Sequence, residues 1–196
     1  LVAKHGAELL SIAKEHNINL DDIIIHAPYI VNLARKDPEK FDFAVRFIAT
    51  EVSGVHNIGC KYLVLHPGSA VDSERIDALT QVANGINQII ELTPFARTVI
   101  AIETMAGKGN EVGKTFEEVK FIIDHINDKS RIGVCLDTCH INDGGYDLVN
   151  NYESVINEFD NIIGLEYLKV IHVNDSKNPL SSHKDRHENI GFGSLG

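Results

Sequence analysis

The chain has 196 residues, with 28 Asp and Glu against 18 Lys and Arg, so its formal net charge is −10. Hydrophobic residues make up 43% and charged residues 23%, a globular balance that excludes a disordered tail or a fibre. No apolar run approaches the roughly 18 residues of a membrane span, and no basic stripe marks a nucleic-acid binder by charge alone. This length predicts one domain with one sizeable core.

Apolar and amphipathic stretches alternate along the chain and predict strands and helices. Five apolar runs rich in β-branched residues predict strands at residues 22–26, 61–66, 98–103, 131–137 and 168–173. Five stretches with helical periodicity predict helices at residues 1–16, 37–58, 73–92, 115–126 and 151–162. The segment after residue 175 is polar and irregular. Because the strands are almost continuously apolar, we expect both of their faces to be buried, as in a parallel α/β sheet.

Capping residues support several of these helix bounds. Asp37, followed by a proline, is typical of a helix start, and Gly59 is expected to end that helix. Ser73 is predicted to cap the third helix. The spacing of Thr115 and Glu118 is that of a capping box at the start of the fourth helix. Each of the first four predicted strands is therefore followed by a predicted helix.

The three cysteines, Cys60, Cys135 and Cys139, are too few and odd in number for a disulfide framework. No stretch resembles a signal peptide, so we expect a reducing, cytoplasmic setting, with nucleoid association if the source is bacterial. Cys135 lies within an apolar run. We therefore interpret all three cysteines as buried structural residues and not as metal ligands.

Each predicted strand carries a metal-ligating side chain at or beside its carboxyl end: His26, His66, Glu103, Asp137 and His172. They follow one another at intervals of 34 to 40 residues. In a closed (β/α)8 TIM barrel such strand ends converge on one mouth, where barrel enzymes carry out their chemistry. An open sheet would spread them along an edge. The pattern therefore predicts an α/β fold of the TIM barrel type, here incomplete at about five to six of eight βα units.

Three further side chains join this group: His140, in the loop after the fourth strand, and Asp185 and His187, in the polar segment. Imidazole and carboxylate ligands without a thiolate suit Zn²⁺, and also Mn²⁺ or Fe²⁺. The eight candidate ligands exceed the four of a tetrahedral ion and indicate two or three ions that share a bridging carboxylate. Clustered ions of this kind serve phosphoryl chemistry.

The candidate ligands lie in six stretches: HAPYIVNL at residues 26–33, LHPGS at 65–69, IETMAGKG at 102–109, GVCLDTCH at 133–140, HVNDSK at 172–177 and DRHENIG at 185–191. Together these stretches resemble the endonuclease IV family of apurinic/apyrimidinic (AP) endonucleases, zinc-dependent DNA-repair enzymes on a xylose-isomerase-like TIM barrel. The resemblance runs nearly from end to end. Its most specific part is the Asp185-Arg186-His187 stretch, which separates this family from related barrels.

The resemblance implies three Zn²⁺ ions per complete enzyme, with Mn²⁺ as a substitute. His26 and His66 would bind the first ion. Glu103, as the catalytic carboxylate, would bridge the first ion to the second, which Asp137 and His172 would also bind. The third ion would be held by His140, Asp185 and His187.

The same resemblance implies contacts with DNA. Tyr29 and Ile30 would enter the duplex at the lesion and help to eject the abasic nucleotide. Lys177 and Arg186 would contact phosphate groups. The implied partner is double-stranded DNA that contains an abasic site, and neither a membrane nor an obligate protein partner is implied.

The implied activity is that of a deoxyribonuclease IV type AP endonuclease in base excision repair. A metal-bound hydroxide would hydrolyse the phosphodiester on the 5′ side of the abasic site and leave a 3′-hydroxyl. The third ion would neutralise the charge that develops on the leaving oxygen. Positioning and charge stabilisation would carry the rate.

The resemblance also implies parts that this sequence lacks. A TIM barrel has eight strands and typically about 250 residues, whereas five clear strands are predicted here. Residues 1–196 are therefore expected to form a single metal-dependent TIM-barrel domain truncated at both ends, without the first strand of the family and its last zinc ligand, a glutamate. We expect the isolated chain to be poorly active and to expose sheet edges that favour self-association.

Two other functions stay open at this point. A sugar isomerase or epimerase of the same barrel superfamily would use Glu103 and Asp137 similarly with one or two divalent ions, and would not need the Asp185-Arg186-His187 stretch. A non-catalytic remnant would keep the fold without a complete site. Metal content near three ions per complete chain favours the nuclease, and one or two ions favour the isomerase.

Overall fold

The computed structural model describes residues 2–196, so Leu1, the first residue of the first predicted helix, lies outside the described residues. The α-helices within this range are α1 (Val2–Glu15), α2 (Pro38–Asn57), α3 (Arg75–Leu92), α4 (Phe116–Asp124), α5 (Thr138–Gly144) and α6 (Tyr152–Ile162). The strands are β1 (Ile24–His26), β2 (Tyr62–Leu65), β3 (Val99–Glu103), β4 (Ile132–Asp137), β5 (Leu168–His172), β6 (Asp175–Ser176) and β7 (His187–Glu188). None of these helices has both the length and the apolar character needed to cross a membrane.

Strands β1 to β5 form one parallel sheet in which neighbours along the chain are neighbours in space. This order confirms the predicted parallel α/β sheet. The sheet is strongly curled. This is shown by the imidazole rings of His26 on β1 and His172 on β5, whose centroids lie only 5.6 Å apart. A flat sheet would separate these outer strands by about 19 Å. The strand-end pattern thus predicted the fold correctly as part of a (β/α)8 barrel.

The two faces of the sheet are lined by different residues. The outer face packs against the helices through large apolar side chains, among them Leu63, Leu65, Ile100, Ile102, Val134 and Leu136. The inner face carries a second, smaller cluster made of Val64, Ala101, Cys135 and Val170. Side chains alternate between the faces of a strand, so the residue two positions further along also points inward. The residues at that spacing are His66, Glu103, Asp137 and His172.

Two of the predicted helix caps are confirmed. The Asp37 carboxylate accepts hydrogen bonds from the backbone N–H groups of Glu39 and Lys40 at 3.1 and 3.2 Å. The Thr115 hydroxyl accepts one from the N–H of Glu118 at 3.3 Å. These bonds satisfy N–H groups that have no partner inside the first helical turn.

The prediction that Ser73 caps α3 is wrong. The residue before the helix is Glu74, which has an extended backbone and makes no side-chain capping bond. The first turn therefore begins at Arg75, one residue too late for the Ser73 hydroxyl to reach the free N–H groups. Among the described residues, the buried Ser73 hydroxyl finds no hydrogen-bond partner.

All three cysteines are buried and free, as their interpretation as structural residues requires. Burial raises the pKa of the Cys135 thiol and of the Cys139 thiol to about 11. Both side chains are therefore neutral thiols near pH 7, which makes them weak metal ligands.

Strand β5 lies at an edge of the described sheet, beside an apolar cleft of about 510 Å³. Leu136, Leu168, Ile171 and Val173 contribute to its lining. Ile171 and Val173 are 53% and 63% exposed. An exposed apolar edge of this kind favours association, so self-association through it stays a prediction.

Phe116 provides a test of the packing. Its ring is fully buried, stacks on Tyr146 at 4.0 Å and meets Phe159 edge-on at 5.3 Å. Phe116→Ala is expected to lower the free energy of unfolding by about 3–5 kcal/mol, because it removes these contacts and leaves a cavity. The matched control is Phe43→Ala on α2, which alters a residue that is 61% exposed. This substitution is expected to change the free energy of unfolding by less than about 0.5 kcal/mol. Urea unfolding measures both values, and equal losses would contradict the described core.

Candidate metal centre

Glu103, at the end of β3, lies at the centre of the strand-end cluster and is only 1% exposed. Its Oε2 lies 2.9 Å from His26 Nε2 and 3.0 Å from His66 Nε2. Its Oε1 lies 3.0 Å from His172 Nδ1 and 3.3 Å from His140 Nδ1. Each carboxylate oxygen therefore faces its own pair of histidines, which is the arrangement expected of a bridging carboxylate.

The histidines determine the charge of Glu103. Burial alone would raise the pKa of this carboxyl, because burial disfavours the charged form. Hydrogen bonds from His172, His26 and His66 outweigh burial and hold the pKa of Glu103 well below its usual range. The side chain is thus a carboxylate at neutral pH, the form that binds a cation.

Asp137 and His172 bring a second carboxylate and imidazole together from the neighbouring strands β4 and β5. Asp137 is fully buried, and its Oδ2 lies 3.5 Å from His172 Nδ1. Asn174 Nδ2 donates to the same oxygen at 2.6 Å, and the Asp137 N–H donates to the Thr104 hydroxyl at 3.1 Å. The hydrogen bond with Asp137 is the largest cause that raises the pKa of His172 to about 12.

His140, Asp185 and His187 form a third group. His140 Nε2 lies 3.0 Å from Asp185 Oδ1 and 3.3 Å from His187 Nε2. His187 Nε2 lies 3.3 Å from the same Asp185 oxygen and 3.9 Å from Asp137 Oδ2. The third group therefore adjoins the second, and all eight predicted ligands lie at one mouth of the curled sheet.

The prediction that His140 lies in a loop is wrong, because it lies on the helix α5 directly after β4. The Asp137 carboxylate caps this helix by accepting the N–H of His140 at 2.9 Å. The helix has only 7 residues, too few for periodicity to reveal it. Its first turn directs His140 back over the strand ends.

Backbone carbonyls orient two of the imidazoles. The Ala27 carbonyl lies 2.7 Å from His26 Nδ1, and the Thr104 carbonyl lies 2.9 Å from His140 Nδ1. A neutral ring that donates its Nδ1–H to a carbonyl leaves the Nε2 lone pair free to bind a cation. His26 Nε2 faces Glu103, and His140 Nε2 faces Asp185.

The donor set fits clustered divalent cations. Within residues 2–196, neither lysine nor arginine forms an ion pair with Glu103, Asp137 or Asp185. Imidazoles and carboxylates instead face one another. They form three groups of possible ligands, and within each group the donor atoms lie within 4.8 Å of one another. One of these groups includes Cys139, whose neutral thiol makes it the weakest donor there.

Thr104 and Asn174 support the ligands but were not predicted from the sequence. Thr104 directly follows Glu103, and Asn174 lies two residues after His172. Polar residues beside a candidate ligand are the signal that could have found them, because metal ligands are usually held by outer hydrogen bonds.

The predicted DNA contacts lie around this mouth. Tyr29 and Ile30, after β1, are 78% and 75% exposed. Tyr29 and His66 both line a cleft of about 160 Å³. Lys177 and Arg186 lie on paired segments, where the Lys177 N–H donates to the Arg186 carbonyl at 2.9 Å. An exposed apolar pair and two basic residues thus flank the cluster.

The family model of the xylose isomerase-like TIM barrel matches residues 2–196. The chain therefore belongs to this family. The protein named probable endonuclease 4 of Acholeplasma laidlawii is 53% identical over 189 residues, which cover 96% of this chain and 64% of that protein. A protein of the same name from Pediococcus pentosaceus is 49% identical over 187 residues, which cover 95% and 62%. The chain thus spans somewhat less than two thirds of the length of these relatives.

Two solved structures share this fold. The crystal structure of endonuclease IV from Thermus thermophilus superposes with a TM-score of 0.83 at 32% identity, over 96% of this chain and 66% of that one. A D-tagatose 3-epimerase-like protein superposes with a TM-score of 0.79 at 21% identity, over 98% and 68%. The first match confirms the resemblance to endonuclease IV that the six stretches indicate, and the second shows the shared fold alone.

The stability of the metal-free protein should depend on the protonation of His140. Burial lowers the pKa of this residue, but Asp185, Asp137 and Glu103 together raise it to about 9, above the ordinary value of 6.5. A raised pKa in the folded state stabilises the fold fully below 6.5, and this stabilisation is lost as the pH rises through about 9. Chelator-treated protein is therefore expected to lose up to about 1.4 kcal/mol of stability per pH unit across this window.

Denaturant unfolding between pH 6 and 9.5 measures this dependence. The control is His140→Gln, which cannot be protonated and is expected to lower the slope by the share that His140 contributes, while His172, whose pKa is also raised, keeps its own share. A free energy of unfolding for the chelated parent that does not change over this window would contradict the described pairing of His140 with the carboxylates.

Proposed function

We propose that this chain carries the metal centre of a DNA-repair endonuclease that hydrolyses the phosphodiester 5′ to an abasic site in double-stranded DNA. The observation that carries the proposal is the convergence of five imidazoles and two further carboxylates around the buried Glu103. The endonuclease names of its relatives support the same function.

The eight side chains divide into three sets of ligands. Divalent ions, Zn²⁺ with Mn²⁺ as a substitute, would supply Lewis-acid charge to the phosphate and lower the pKa of water. His26 and His66 would hold one ion together with Glu103. Asp137 and His172 would hold a second ion, also together with Glu103. The remaining set consists of His140, Asp185 and His187.

The protein's own contribution is to hold these ligands in place before substrate binds. The carbonyls of Ala27 and Thr104 orient His26 and His140, and Asn174 holds the Asp137 carboxylate. Ligands held in this way need little rearrangement when charge develops on the phosphate, which is the main source of catalysis in such sites.

Recognition of the lesion would depend on the residues around the mouth. Tyr29 and Ile30 are exposed apolar side chains that would insert at the damaged step of the duplex. A sugar without a base costs less to unstack than an intact nucleotide, so it would enter the site more readily. Lys177 and Arg186 would contact backbone phosphates and offset part of the net charge of −10 near the DNA.

The third set of ligands supports a nuclease over a sugar epimerase. An epimerase would use Glu103, Asp137 and neighbouring histidines with one or two ions. It would have no use for a further cluster made of His140, Asp185 and His187. Phosphodiester hydrolysis does use a further cluster of metal ligands, because charge on both the attacking and the leaving oxygen must be stabilised.

We further propose that residues 1–196 belong to a single metal-dependent domain that acts on DNA in the cytoplasm and needs no obligate protein partner. The three free cysteines fit a reducing compartment.

A duplex oligonucleotide with a tetrahydrofuran abasic analogue tests the function. The protein at its natural length is expected to cut this strand 5′ to the analogue and to leave the undamaged duplex intact. EDTA is expected to abolish the cut and Zn²⁺ to restore it. Glu103→Gln is expected to lower kcat/KM by about 100-fold or more, because a neutral amide bridges cations poorly.

The matched control is Glu117→Gln, which removes an exposed carboxylate on α4 and should leave the rate unchanged. Cleavage that is insensitive to EDTA, or that ignores the lesion, would contradict the proposal. Epimerisation of a ketose by the same preparation, without cleavage, would favour the sugar-converting alternative.

A further inference from the structure

A buried aspartate outside the ligand set, Asp143, fastens the segment that carries Asp185 and His187. Asp143 lies near the end of α5 and is fully buried. Its Oδ2 accepts the backbone N–H of Asp185 at 3.0 Å, and its Oδ1 accepts the hydroxyl of Ser176 at 2.7 Å. This one carboxylate therefore joins α5, β6 and the segment before β7.

Three hydrogen bonds hold the 181–185 loop along the end of α5. The N–H of Ser181 donates to the Asn142 carbonyl, and the N–H of His183 donates to the Asp143 carbonyl, both at 3.0 Å. The N–H of Asp185 donates to the Asp143 carboxylate at the same distance. Every second residue of the loop is thus bonded to Asn142 or Asp143.

The same three loop residues have an unusual backbone. Ser181, His183 and Asp185 have φ angles of 63°, 53° and 54°. Residues other than glycine rarely adopt this left-handed conformation, and they keep it only where surrounding contacts hold them. The bonds to α5 are such contacts, and at Asp185 the contact is made by the Asp143 side chain.

All three ligands of the third set depend on α5. His140 lies on the helix itself, three residues before Asp143. Asp185 is bonded to Asp143 directly. His187 lies on β7 and pairs with Ser176 of β6. The Ser176 hydroxyl donates to the Asp143 carboxylate. A change at Asp143 should therefore disturb Asp185 and His187 and leave the ligands of the parallel strands in place.

We propose that Asp143 is the positioning residue of Asp185 and His187, and that it determines the affinity of the cation that these two residues and His140 would hold. This inference rests on the proposed function for the presence of that cation. Both carboxylate oxygens of Asp143 are engaged by Ser176 and by the Asp185 N–H, so Asp143 would act by holding the backbone of Asp185 and not as a ligand. Loss of such an outer partner typically weakens metal binding by about 10- to 100-fold.

Zn²⁺ binding by the full chain, measured by equilibrium dialysis against buffered free Zn²⁺, tests this role. Asp143→Ala is expected to weaken one bound ion by about 10- to 100-fold and to leave the affinity of the other ions unchanged. Asp143→Asn is expected to return that affinity to within about threefold of the parent, because the amide oxygen still accepts the Asp185 N–H.

Glu118→Ala is the matched control. Glu118 is largely buried and also accepts two backbone N–H groups, those of Gly113 at 2.8 Å and Lys114 at 3.1 Å. The loop that it holds carries none of the proposed ligands. This variant is expected to lower the Tm without changing Zn²⁺ binding.

Parent-like affinity for every ion in Asp143→Ala would overturn the role of Asp143, and so would equal weakening of all ions. If Asp143→Ala does not fold, Asp143→Ser carries the same expectation, because its hydroxyl is too short to reach the Asp185 N–H. The role would also be overturned if Asp185→Ala weakened the binding of none of the Zn²⁺ ions that the parent binds. A parent that binds Zn²⁺ as expected but leaves abasic DNA intact would instead refute the proposed nuclease.

Discussion

The site depends on a buried negative charge that must be compensated. Glu103 is almost inaccessible to water, and burying an isolated carboxylate is costly unless other groups pair with it. Four histidines from β1, from the segments after β2 and β4, and from β5 surround its two oxygens. In the metal-free protein hydrogen bonds from His172, His26 and His66 compensate this charge, and divalent ions would do so in the loaded protein. The curl of the sheet is what brings β1 and β5 close enough to share this one group.

The two-residue repeat of a strand explains why the ligands point inward. Small inner-face residues such as Ala101 and Cys135 let the curled strands approach, and the residue two positions later in each strand is Glu103 or Asp137. Strand-end ligands could therefore be predicted from the sequence, because apolar runs, stops and side-chain chemistry are all local signals. The register of the strands could not be predicted, because it depends on contacts between residues more than 30 positions apart in the sequence.

The elements that sequence reasoning missed are short and held by distant partners. Helix α5 has 7 residues, and the left-handed loop that ends at Asp185 takes its shape from hydrogen bonds to Asn142 and Asp143, about 40 residues earlier. Ser73 shows the opposite case, a residue of the right type that lies one position outside the first turn. The overall charge of −10 also says little about the local chemistry of the site, because half of the 10 histidines and three of the acids lie together in one cluster.

In the proposed site Glu103 would bridge two divalent ions at the strand ends. Anomalous scattering at the zinc edge, from crystals of the protein grown with Zn²⁺, measures this most directly. One peak is expected on each side of Glu103, each about 2.0–2.2 Å from one carboxylate oxygen, and a third among His140, Asp185 and His187. A single peak, or peaks that leave both Glu103 oxygens without a zinc neighbour, would contradict this bridging role.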